Sequence, residues 1–97
     1  MTINMFEALG SFASNKDIAK RIRMREIMPN LEKGNKIVID FERVDGATQS
    51  FVHALISESI RKFGAEVLDK ISFKNCNEKI KAIITIVTDY MQAGTAD

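Results

Sequence analysis

Ser50, His53, Ser57 and Arg61 recur at three- and four-residue intervals, so one side of a helix would present all four. A hydroxyl three residues before an imidazole is the beginning of a serine-nucleophile arrangement. Hydrolysis also needs a group that orients the imidazole and an oxyanion hole. No G-x-S-x-G elbow surrounds Ser50. His53 therefore reads as a solvated or partner-contacting side chain. Ser50 sits at a helix mouth, where free backbone N–H groups and the helix dipole favour a phosphate or another anion. Its plainer role is a helix cap.

The remaining reactive side chains form no catalytic or metal set. Asp40 and Glu42 share one side of a strand, and Asp45 follows in a loop. No histidine accompanies them, and their spacing misses the calcium-loop pattern. They read as strand-end and loop polar groups. Asn75 follows a later strand and could approach Thr48, Gln49 and Ser50 if both strands deliver their loops to one sheet edge. It, or Asn77, could equally cap the last helix. Cys76 lacks an activating neighbour and reads as a packed thiol. The basic run from Lys16 to Arg25 has no aromatic interleaving and is balanced by Asp17 and Glu26, which suits a solvated helix face.

Positioning these groups falls to a strand, a loop and a helix between Lys36 and Gly64. Ile37 to Phe41 is an almost unbroken apolar run rich in β-branched residues, as expected of a parallel strand covered on both faces. Val44 to Thr48 supplies turn residues. Val52, Leu55, Ile56, Ile60 and Phe63 then fall on one helix face, and Gly64 ends it.

Upstream, Thr2 to Phe6 alternates like a half-exposed strand that Leu9 to Phe12 could extend after a bend. Ser14 is the expected cap of a helix carrying Ile18, Ala19 and Ile22, and Pro29 should stop or kink it. Downstream, 66–73 reads as another strand, and its charged Asp69 and Lys70 suggest that it is shorter or nearer an edge than Ile37–Phe41. Ile80, Ile83, Ile84, Val87 and Met91 mark a last helix, and 93–97 a flexible polar tail. Strand–helix alternation predicts a single small layered α/β domain over residues 1–97, with a mainly parallel sheet and about three helices.

The Ile39–Phe51 stretch, I-D-F-x-x-V-x-x-x-x-x-S-F, with its amphipathic helix and a later strand ending Phe73-Lys74-Asn75, resembles the STAS-like domains. These are short relatives of the sulphate transporter and anti-sigma factor antagonist domain. Aligned without gaps on the antagonists' strand–V-D-F-I-D-S-S-G-L–helix pattern, Val44 matches the valine and Ser50 the phosphorylated serine. Thr48 stands in place of the acidic residue of that loop, Gln49 of its first serine and Phe51 of its glycine. The resemblance implies a non-enzymatic regulatory module without a cofactor. Its partner would be a regulatory protein such as a histidine-kinase-like ATPase. Ser50 would be the candidate phospho-acceptor, and the binding surface would comprise Asp45, Thr48, Gln49, Ser50, His53, Ser57, Arg61 and Asn75.

Two alternatives remain: a small-ligand or nucleotide-binding domain using the same sheet edge, and a mobile-element inhibitor docking on a larger complex. A net charge of +1 argues against general attraction to nucleic acid. No apolar run approaches the roughly 20 residues that cross a bilayer, and a single cysteine fits a reducing cytoplasm. The oligomeric state is not legible.

Overall fold

The computed structural model describes residues 1–95. The chain begins with β1 (Thr2–Asn4), a short α1 (Met5–Leu9) and a two-residue β2 (Phe12–Ala13). A long helical stretch follows, formed by α2 (Lys16–Ile22), a π-helical turn (Arg23–Ile27) and α3 (Met28–Glu32). Next come β3 (Ile37–Asp40), a two-residue β4 (Gly46–Ala47) and α4 (Gln49–Phe63). A 3₁₀ segment (Ala65–Asp69), β5 (Ile71–Lys74) and α5 (Glu78–Thr95) complete the described chain.

The main sheet is parallel with strand order β1-β3-β5. Register puts Ile3, Ile39 and Phe73 in one row and Ile37 beside Ile71. This side meets the helices, and Ile3, Ile37, Ile39 and Ile71 are buried. The opposite side carries Thr2–Val38–Ser72 and Asn4–Asp40–Lys74. There Val38 and Asp40 are only half-buried, and Thr2, Ser72 and Lys74 are exposed. The expected burial on both faces is thus corrected to one. The strand order advances steadily across the sheet, so right-handed crossovers place both connections on the same face.

Three long helical stretches, 16–32, α4 and α5, form the covering layer. Ala19, Ile22, Ile27 and Leu31 from the first join Val52, Leu55, Ile56 and Ile60 from α4, and Ile80, Ile84, Val87 and Met91 from α5. Beyond the main sheet, β2 pairs in parallel with β4. At Gly46 a Cβ would lie 2.8 Å from the Phe12 ring, so any larger residue would require that ring to shift. Asp45 N–H donates to Ser11 O at 2.7 Å and Thr48 N–H to Ala13 O at 2.9 Å. The start of α4 is thereby tied to the N-terminal segment.

Several local expectations change. The Thr2–Phe6 strand ends at Asn4, whose side chain accepts from Glu7 N–H at 2.9 Å and opens α1. Asn15, not Ser14, caps α2, accepting from Asp17 and Ile18 N–H at 2.9 and 3.3 Å. Pro29 does not stop the helix. Met28 N–H reaches back to Arg23 O, and this widened turn places Pro29 in the first turn of α3, where a missing N–H is tolerated. In 66–73 only Ile71 onward is strand, because adjacent Val67 and Leu68 break the alternation and the segment turns as 3₁₀ helix. Finally, α5 reaches Thr95, inside the expected tail at 93–97, whose last two residues lie outside the described residues.

Candidate functional site

Thr48 opens α4 with extended backbone, and its Oγ1 accepts from Phe51 N–H at 3.1 Å. The cap is therefore Thr48 rather than Ser50. Ser50 lies one residue inside the helix and is exposed. The first turn contains no acidic residue, so no carboxylate offsets the positive end of the helix dipole. Phe51, beside it in sequence, is fully buried and adds no bulk to the surface around Ser50.

From this helix mouth a groove of about 590 Å³ runs along α4 between α2 and α5. On the α4 side Gln49, Ser50, His53, Ser57 and Arg61 line it, joined by Ala54 and Glu58. The predicted helix face is thus brought together as one concave surface. Ser57, expected to be exposed, is buried with 3% of its surface accessible. Helical spacing does set it beside Ser50 and Arg61, but α2 and α5 both pack against α4, and little of Ser57 is left accessible in the groove they flank.

The opposing walls were not expected. From α2 and the π turn come Lys16, Lys20 and Arg23; from α5 come Ile86, Val87 and Tyr90. Arg23 Nη1 donates to Ala54 O at 3.2 Å, linking the π turn to α4. Arg61 Nη1 meets Glu58 Oε1 at 3.0 Å, an exposed ion pair of little stabilising consequence. Four cationic side chains thus line the groove with one carboxylate, Glu58. Ile86 and Tyr90 are 49% and 70% exposed and stand side by side on this wall. Their sequence signal is a second apolar pair, four residues apart, off the stripe from Ile80 to Met91. Lys16, Lys20 and Arg23 are likewise spaced by four and three.

Three of the other expected residues serve elsewhere. Asp45 is exposed beside β4, and its carbonyl accepts from Asn77 Nδ2 at 2.7 Å. Thr48 is occupied as the cap. Asn75 has φ of +56° and donates Nδ2 to Asp40 Oδ1 at 2.9 Å. It lines a different depression, with Phe73, Cys76, Lys81, Ile84 and Thr85. Asn77, not Asn75, caps α5 by accepting from Ile80 N–H at 2.9 Å.

Asp40 also accepts from Glu42 N–H at 2.9 Å, an Asx turn at the end of β3. The Asn75 hydrogen bond, followed by the Glu42 one, holds its carboxyl below the ordinary aspartate value. Cys76 is half-buried, and burial pushes its thiol up, away from the reactive thiolate. No group of three or more His, Cys, Asp or Glu side chains is arranged to hold a metal among the described residues. No helix among them is long and apolar enough to cross a membrane.

Residues 19–81, more than half of the chain, match a family model described as a STAS-like domain of unknown function. Most of the groove lies within the match, whereas Lys16, Ile86, Val87 and Tyr90 lie outside it. No curated protein matches the chain, and no solved structure does.

Proposed function

The chain belongs to the STAS-like domain family, and from that premise we propose that it is a non-enzymatic regulatory module that binds a protein partner through the exposed side of α4. The observation carrying this reading is the groove, which gathers Gln49, Ser50, His53, Ser57 and Arg61 on one surface. By likeness to the antagonists, the partner is a histidine-kinase-like ATPase or another regulatory protein working in the cytoplasm. Its kinase activity would transfer the γ-phosphoryl group of ATP to Ser50 Oγ, with loss of the hydroxyl proton.

The local physics supports such a switch. Ser50 is exposed at a helix end with no first-turn carboxylate, and its phosphate would share a groove with Lys16, Lys20 and Arg23. A phosphoserine carries roughly −1.5 to −2 charges, so the partner would meet an altered charge on an intact fold. The test is to measure affinity for the cognate ATPase with Arg61→Glu and Ser50→Asp, and to map phosphate after incubation with ATP. Affinity unchanged in both variants, with Ser50 unmodified, overturns the reading. Ser57→Glu is a poor probe, since it would bury a charge.

The small-ligand alternative requires Gln49 and Asn75 in a single sheet-edge site. Here Gln49 lines the groove and Asn75 the depression beside Cys76.

A further inference from the structure

We propose that the groove between α2, α4 and α5 receives an acidic, amphipathic helical segment of the partner. The inference rests on the interaction reading above and specifies what the surface recognises.

Charge distribution is the first ground. The protein carries a net charge of only +1, yet Lys16, Lys20, Arg23 and Arg61 converge on this groove against the single carboxylate of Glu58. Arg23 is tied to Ala54 O and Arg61 to Glu58, whereas Lys16 and Lys20 form no ion pair among the described residues. Both lysines are exposed, on consecutive turns of α2. They are positioned to meet carboxylates along one side of an incoming segment.

The second ground is the opposite wall. Ile86 and Tyr90 stand one turn apart on α5, both largely exposed, with buried Val87 between them. A ladder of apolar side chains facing a ladder of cations complements a helix with one apolar and one acidic side. The length agrees. From Ser50 to Arg61 is about 16 Å along the α4 axis, enough for three turns of a docked helix. A nucleotide would instead need phosphate-binding donors converging on one point, as a glycine-rich loop supplies. No glycine lines the groove, and its cations are strung along two helices.

The test titrates isotopically labelled protein with a synthetic helix-forming peptide carrying glutamates on one side and leucines on the other. The same peptide with lysines replacing the glutamates, and ATP, are the comparisons. The acidic peptide should move the amide resonances of Lys20, His53 and Tyr90, and added salt should weaken it severalfold. Lys16→Glu with Lys20→Glu should reduce its affinity about tenfold or more, and Tyr90→Ala comparably. Lys33→Glu, away from the groove, should leave it unchanged. Equal binding of the lysine peptide, or ATP moving these amides while the acidic peptide does not, overturns the proposal. If the acidic peptide fails while Arg61→Glu still weakens the cognate complex, the acidic-segment inference falls and the interaction reading stands. If neither responds, both fall.

Discussion

Arg23 Nη1 reaches the carbonyl oxygen of Ala54 at 3.2 Å, so one cation of the groove also braces the π turn against α4. The bond joins residues 31 apart in sequence, across the contact between the π turn and α4. It sets Arg23, a strut, apart from Lys16 and Lys20, a contact pair, while Arg61 is paired with Glu58.

The division is measurable. Arg23→Gln should lower unfolding stability by about 0.5–1.5 kcal/mol, the usual net worth of such a bond. Lys16→Gln and Lys20→Gln, both at exposed positions, should stay within about 0.5 kcal/mol of the parent. Urea unfolding of the three variants checks this. A loss at Lys16 or Lys20 equal to that at Arg23 would contradict the assignment.

The one-sided sheet gives a sharper contrast. Ile39 is fully buried beneath the helices, and Ile39→Ala should cost about 2–5 kcal/mol through the cavity it leaves. Val38 adjoins it in sequence but lies half-buried on the open side. Val38→Ala should cost less than about 1.5 kcal/mol, since little of its surroundings closes around it. Denaturant midpoints of the pair decide, and equal losses would mean that both faces are covered.

These two neighbours also show what was legible beforehand. The run from Ile37 to Phe41 identifies the central strand, and the stripe through Val52, Leu55, Ile56 and Ile60 identifies its covering helix. Neither reveals the open face, because Val38 is apolar too and topology decides which side is covered. The same limit applies to the site. Spacing places Ser50, His53, Ser57 and Arg61 on one helix side, but only packing brings Lys16 and Tyr90 opposite them. Periodicity defines faces, and tertiary contact chooses their neighbours. The Thr48 and Asn15 caps are not legible in the sequence, because adjacent hydroxyls and amides offer equally plausible caps until backbone angles are known.

At the sheet edge, Asn75 and Asp40 make a pH-dependent pair. Asn75 Nδ2 and Glu42 N–H both donate to the ionised carboxylate, so the Asp40 value is depressed in the folded state. A depressed carboxyl stabilises the fold above its unfolded value and loses that contribution as pH falls through its folded value. Carbon-detected NMR titration should find Asp40 below the ordinary aspartate value, and Asn75→Ala should raise it. No change on losing the amide would rule out the hydrogen bond as the main cause. Asn75→Gly is the companion variant, since φ of +56° strains most other replacements.

The last prediction separates cap from switch at the head of α4. Thr48 Oγ1 caps Phe51 N–H, so Thr48→Ala should destabilise the protein by about 0.5–2 kcal/mol. Ser50, exposed and one residue inside the helix, makes no such bond, and Ser50→Ala should remain within about 0.5 kcal/mol. Ser50→Asp places a negative charge in a first turn that has none and should be neutral or stabilising by about 0.3–1 kcal/mol. The same substitution sets a carboxylate in the groove with Lys16, Lys20 and Arg23, where it would compete for cations that an acidic partner needs. Stability should therefore hold or rise while affinity for the partner falls. Thermal unfolding and calorimetric binding on one set of variants can show this opposite movement. Destabilisation by Ser50→Ala as large as that by Thr48→Ala would return Ser50 to a structural role. Undiminished binding by Ser50→Asp would remove it as the point of control.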